Sequence, residues 1–256
     1  MKRPAVVALL SCSLSLLCAC DDPKPGAGGK GAPSAAASAR PTAAATATEA
    51  PKPKTMPDLL VDTEGPYLGG KRIDMNASDA KEKMAAILRD LPINAQPVTL
   101  LAEKRAKTRH VGAVVDALGS AGAPKVVLKT DGRNDLPKEI VVVPQTKITS
   151  APGCSVASSV LKDLSTAVWP ARGGLGKKQR KGLAGPDLSH TAETFEKDLA
   201  ACESSTAFFS SDDDVQWEMA FNLAGTLVNA DTKKKIDTLV LLAEAPVAGR
   251  ALPMAK

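Results

Sequence analysis

The residues of this 256-residue chain that could do chemistry are few and widely spaced. Asp187, His190 and Glu193 stand three apart, which suggests metal ligands. Their steps straddle a Gly-Pro turn and a helix start, where Ser189, His190 and Thr191 serve better as capping groups. Gly176-Lys177 suggests a phosphate-binding loop, but that pattern needs Gly, four residues, then Gly-Lys-Ser/Thr; here Lys178 follows and position 171 is alanine. There are two histidines, and neither stands beside a plausible Ser or Cys nucleophile, so a catalytic triad has almost no support. His110 is expected to be exposed at a helix start. Asp212-Asp213-Asp214 lacks EF-hand spacing and reads as an acidic group at the positive end of a helix. What remains is charge. Arg172, Lys177, Lys178, Arg180 and Lys181 place five basic residues within ten positions. One reading is an anion site for lipid head groups, lipopolysaccharide or peptidoglycan carboxylates; the other is a solvated hairpin loop. Neither enzymatic activity, a cofactor nor a metal is expected.

Composition narrows the class further. Aromatics make up 3% of the chain, too few for a stacking platform, and a net charge of +5 is too mild to imply nucleic acid. Met1-Lys2-Arg3 and the apolar run over 5–19 have the form of a secretory signal, too short for a span of about 20 residues. Leu17-Cys18-Ala19-Cys20 resembles a bacterial lipobox, which implies cleavage before Cys20 and lipid on its thiol. Residues 20–57 are then a lipidated cysteine and an Ala/Pro/Gly tether with nothing to form a core. Of five cysteines, Cys12 and Cys18 leave with the signal and Cys20 is acylated. Cys154 and Cys202 remain, either a disulfide worth about 2–4 kcal/mol or two buried thiols.

Hydrophobic period supplies the elements. Leu59–Val61 and Tyr67–Leu68 read as strands about a Glu64-Gly-Pro66 turn. Ser78 can cap a helix over 79–91, ended by Pro92. Val98, Leu100 and Leu101 form a third strand, and Thr108 can cap a helix whose Val111, Val114, Val115 and Leu118 share a face. Gly119 and Gly122 stop it, and Lys125–Leu128 is the next strand. The order is β-β-α-β-α-β, an α+β layer with helices on one face of a small sheet.

The run DLLVDTEGPYLGGKRI, a helix, and then PVTLLAEKRAKTRHVGAVVDALGSAGAPKVVLKT together resemble the periplasmic domain of the ExbD/TolR biopolymer-transport family. The features are Asp62 to Gly65, Leu101-Ala102-Glu103 before a short bend, His110 to Leu118, Ala121-Gly122 and Lys125 to Leu128; the likeness covers residues 58–131. It implies a multi-pass ExbB/TolQ-type partner, a TonB- or TolA-like effector, contact with peptidoglycan, and a homodimer. Family members carry a membrane-embedded aspartate in a transmembrane helix. The apolar segment here, 5–19, has no Asp, Glu or Lys, so proton conduction is not expected.

A shift of 109 residues lays Ala220, Leu223, Ala224 and Leu227 on Val111, Val114, Val115 and Leu118. Asp214-Val-Gln-Trp217 also resembles the family's Asp-Val-Pro-Tyr bend. Ahead of it come a strand over Glu139–Val143, a hairpin over Val156–Leu161 and Thr166–Trp169, and a helix over Thr191–Cys202. Either the module is duplicated or βαβ patterning has converged. The expected layout is a signal peptide over 1–19, a tether over 20–57, one module over 58–135, and a second, diverged one over 136–256 that carries the basic insertion. The expected function is a lipid-anchored, non-catalytic periplasmic protein of the bacterial envelope. It would be an accessory or regulatory component of a proton-motive-force-coupled machine, reached through strand addition at a sheet edge. The alternative is a structural tether that holds peptidoglycan by the basic loop.

Overall fold

Alternation along β1 (Leu59–Asp62) buries Leu59 and Val61 on one face, and the first sheet is built out from this strand on both sides. Antiparallel β2 (Gly65–Leu68) and β3 (Lys71–Arg72) flank it on one side. The β1–β2 turn is closed by the Asp62 carboxylate, which accepts from the amides of Glu64 (2.8 Å) and Gly65 (3.2 Å) and from Arg72 (2.6 Å). That guanidinium holds the Asp62 carboxyl below the usual range. On the other side run parallel β4 (Val98–Ala102) and β5 (Val126–Lys129), then antiparallel β6 (Glu139–Val142). Helices α1 (Ala80–Arg89) and α2 (Thr108–Ser120) are the crossovers, and the strand order is β3-β2-β1-β4-β5-β6. Met84 and Leu88 of α1 and Val111, Val114, Val115 and Leu118 of α2 are buried in the same core as Val61, Leu100 and Val126. The computed structural model describes residues 56–255 apart from Asn94 and Ser204.

The second sheet repeats this plan. It runs through β7 (Val156–Val160), β8 (Thr166–Pro170), β9 (Lys177–Gln179), α3 (Leu188–Leu199), β12 (Ser205–Ser211), α4 (Trp217–Ala230) and β13 (Ile236–Leu241). A small ribbon, β10 (Lys181–Gly182) with β11 (Gly185–Pro186), interrupts the series after β9. The sheet order is β13-β12-β7-β8-β9, and every strand direction matches its counterpart in β5-β4-β1-β2-β3. Thr108 and Trp217, which are 109 residues apart, each open the corresponding helix. The Leu60–Leu101 register pair corresponds to Ser159–Ser210. The fold is therefore α+β with two sheets, each with its helices on one face. A single hydrophobic cluster joins the two, and the described residues belong to one compact unit.

Several local expectations change. Glu139–Val142, expected to open the second module, is the outer strand of the first sheet, where Ile140 and Val142 enter the core. It also reaches the second sheet, because the amide of Val143 donates to Leu239 (2.8 Å). No side chain caps α1, whose N-cap is Asp79 rather than Ser78. Thr108 is the first residue of α2, not its cap; its hydroxyl contacts the second half instead. Helix α3 starts before Thr191 and ends before Cys202.

Gly119 does not stop α2; it lies inside the helix, and Gly122 at φ +108° makes the turn out of it. A Cβ on Gly119 would fall 2.4 Å from both Pro144 Cβ and Thr146 Oγ1, and one on Gly112 would fall 2.9 Å from the Leu242 carbonyl oxygen. The two glycines let α2 lie directly on the connector and on the end of β13. Gly119→Ala gains up to about 1 kcal/mol in helix propensity but meets a filled space, where overpacking costs about 1–3 kcal/mol. A net loss of stability is expected in urea unfolding. An unchanged or higher midpoint would show that this face of α2 is not packed as described.

Candidate functional site

The expected residues fall in three places. Cys20 lies outside the described residues. Lys177, Lys178, Arg180 and Lys181 lie along the outer edge of the second sheet, on β9, the ribbon and the link between them, whereas Arg172 lies in the turn after β8, beside Gly153. Lys177 pairs with Asp198 of α3 (2.7 Å), and Lys178 pairs with Asp163 of the β7–β8 turn (2.9 Å). Asp163 also accepts from the Ser165 amide and hydroxyl, and with Lys178 these hold its carboxyl well below the usual range. Arg172, Arg180 and Lys181 are exposed and make no ion pair among the described residues. Four of the five charges are thus brought onto one edge, and two of those four are already matched.

Cys154 and Cys202 are paired in a disulfide with Cα atoms 5.8 Å apart, tying the chain ahead of β7 to the end of α3. Asp187 caps α3: its carboxylate accepts from the His190 amide (3.1 Å) and contacts the His190 ring (2.8 Å). Thr191 Oγ1 donates to the Asp187 carbonyl (2.7 Å) and meets Thr166 Oγ1 (2.6 Å). The cap of α3 is thus Asp187 and not Ser189, His190 or Thr191, which lie inside its first turn. The Asp212–Asp214 run does not cap α4, whose N-cap is Gln216; Asp214 pairs with Lys162 (2.6 Å) instead.

His110 is not exposed. It is 5% accessible, and neither ring nitrogen has a partner. Burial pushes it down to about 4, with Arg109 and Lys107 adding to the effect and Asp213 opposing it.

The two halves meet through equivalent loops. Lys107 and Gln216, again 109 residues apart, face each other in an isolated antiparallel pairing. The Trp217 amide donates to Ala106 (2.8 Å), the Glu218 amide to Lys104 (2.9 Å), and Thr108 Oγ1 to Val215 (3.4 Å). Contact between equivalent residues in opposite directions is the signature of a two-fold interface. Trp217 also reaches across: its Nε1 donates to Thr130 Oγ1 (2.7 Å), which donates to the Ala102 carbonyl (3.0 Å). The 109-residue shift already aligned these loops, but nothing in the sequence joined Trp217 to Thr130.

The outer faces of the two sheets differ. On the second, Trp169, Phe208, Val240 and Leu242 are buried under Leu252 and Met254 of the C-terminal segment. That segment is held by Leu252 N to Ala171 O (2.9 Å), Ala255 N to Ile148 O (2.8 Å) and Trp169 Nε1 to Arg250 O (3.0 Å). The first sheet has no such cover among the described residues. Tyr67, Leu101 and Val141 are exposed, and an open groove of about 710 Å³ runs over Leu60 and Leu101. Its polar border is Lys104 and Lys138 against Asp131 (3.5 and 3.2 Å) and Lys129 against Glu139 (3.3 Å). Set against protein-family models, curated proteins and solved structures, the chain matches none. The groove holds cations and carboxylates that neutralise one another over an apolar floor.

Of the sheet edges, β6 and β13 approach one another through the Val143–Leu239 bond, which leaves β3 and β9 as outer edges. No helix among the described residues is long and apolar enough to cross a membrane.

Proposed function

We propose that this chain is a non-catalytic envelope lipoprotein, an accessory or regulatory binding component of a proton-motive-force-coupled transport or envelope machine, built from two ExbD/TolR-like modules closed on each other. The observation that carries the reading is the repeated strand order and direction, with the equivalent loops at Lys107 and Gln216 paired about a local two-fold. The first sheet also contains the expected β-β-α-β-α-β series, extended by the short β3 ahead of α1 and by β6 after β5. In this reading the contact expected of a homodimer is met within one chain. The uncovered groove over Leu60 and Leu101 and the β3 edge are what remain for an ExbB/TolQ-type or TonB/TolA-type partner. Lipid on Cys20 anchors the protein in place of the family's membrane helix, so it regulates or docks and does not carry protons.

Cross-linking in intact cells, with mass spectrometry of the captured proteins, tests this. Capture of a multi-pass motor protein or of an energy-transducing effector supports the reading. Capture of wall proteins and peptidoglycan alone overturns the motor association and leaves the structural tether.

A further inference from the structure

We propose that the edge formed by β9 and the β10–β11 ribbon lies on an anionic lipid bilayer, with Leu175 and Leu183 entering the headgroup region and the cations between them meeting lipid phosphates. This does not depend on the family reading above. Between residues 172 and 186 there are five basic residues and no Asp or Glu, so this stretch carries a charge equal to the net +5 of the entire chain. Lysines on a free edge strand have a plainer role, blocking edge-to-edge pairing. Lys177 and Lys178 fit that role, since each is on β9 and each is matched by an aspartate. Arg180 and Lys181 lie beyond the strand and are exposed, with no ion pair among the described residues.

Leu175 and Leu183 are 100% and 111% exposed. A single exposed leucine says nothing. Here one lies at each end of a wholly cationic stretch, at most about 29 Å apart along the chain. Leu183 follows β10 at the turn of the ribbon, and Leu175 lies beside Gly174, whose amide donates to the Gly249 carbonyl (2.9 Å). Exposed Val247 is on that adjoining loop. Apolar anchors flanking cations are the composition of an interfacial segment, which gains from buried apolar area and from the negative lipid surface together. Peptidoglycan carboxylates would use the cations but would give the leucines no role, so the leucines decide between the two surfaces.

The test uses residues 21–256, without leader or Cys20, and therefore without acyl chains. Sedimentation with vesicles of phosphatidylcholine, with and without phosphatidylglycerol, reads the partition. Binding is expected only to the anionic vesicles, and it should weaken as salt is raised. Arg180→Glu with Lys181→Glu should weaken it by at least about tenfold. Leu175→Ser with Leu183→Ser, at unchanged charge, should do the same on the order of tenfold. All four positions are exposed, so unfolding midpoints and near-ultraviolet circular dichroism should match the parent chain. The proposal fails if the parent chain ignores anionic vesicles. It also fails if the serine variants bind as well as the parent while the glutamate variants do not, since the surface would then be a plain anion site. Retention on purified sacculi through the same cations, without vesicle binding, would assign the edge to the cell wall instead.

Discussion

Trp217→Ala is expected to remove about 3–5 kcal/mol of stability, a large share of what a domain this size holds. The ring is fully buried, packs against Phe221 at 5.8 Å between centroids, and stands at the junction of the two sheets. Its removal leaves a cavity that cannot collapse easily, because the Trp217 amide and its neighbour at Glu218 are both bonded to the loop ahead of α2. The indole N–H is a separate contribution. It donates to Thr130 Oγ1 at 2.7 Å, and Thr130 donates onward to Ala102 at 3.0 Å. Trp217→Phe keeps most of the packing and should cost less. Thr130→Val strands the buried indole donor and frees the Ala102 carbonyl, a loss of about 1–3 kcal/mol. Because the two changes share one hydrogen bond, Trp217→Phe with Thr130→Val should cost less than the sum of the single changes. Urea unfolding of the four variants, followed by circular dichroism, measures the cycle. Additive losses would mean that Trp217 and Thr130 act independently and that this bond does not couple the halves.

The sequence made some of this plain and hid the rest, for definite reasons. The face of α2 formed by Val111, Val114, Val115 and Leu118 was visible because burial with a helical period is a local pattern, and all four are buried. Shifting the pattern by 109 residues found α4, and Ala220, Leu223, Ala224 and Leu227 are buried as their counterparts are. The β7–β8 hairpin was equally local. The partner of β6 was not, since an alternating strand does not say which edge it joins; chain order assigned it to the second module and the core assigned it to the first. Gly119 misled because glycine near a helix end usually marks the cap, whereas here the absent Cβ is what allows Pro144 to approach. Thr108, a good cap by residue type, is turned toward Ser211 and Val215 by a contact with the second half. Of the candidate site, the cationic run could be read directly. The groove could not, because it exists only where one sheet face has a cover and its counterpart lacks one.

His110 gives the last expected result, a fall in stability as pH drops from about 6.5 to about 4. A polar residue at a helix start reads as exposed, yet this ring is buried with both nitrogens unpartnered. Its surroundings disfavour the charged form: burial first, then the cations Arg109 and Lys107, with Asp213 the opposing group. In the unfolded chain the ring takes up its proton near 6.5, while the folded chain refuses it until about 4. Between those values the unfolded state binds more protons, so stability rises with pH across the window and is lost on acidification, by up to about 3 kcal/mol. Below about 4 both states are protonated and this group adds no further slope. The carboxylates held low by their partners, such as Asp62 and Asp131, act mainly below their ordinary value of 3.8, and half-buried Asp116, whose pKa is raised, acts with the opposite sign. The internal repeat suggests the replacement, because the 109-residue shift sets Met219, partly buried in the shared core, where the first half has His110. His110→Met should match or exceed the parent near neutral pH, since it removes two unsatisfied polar atoms. It should also lose most of the slope between pH 6.5 and 4, read as the urea midpoint at a series of pH values. A variant that kept the parent's full slope would place the acid sensitivity elsewhere and leave the buried ring without the role given to it.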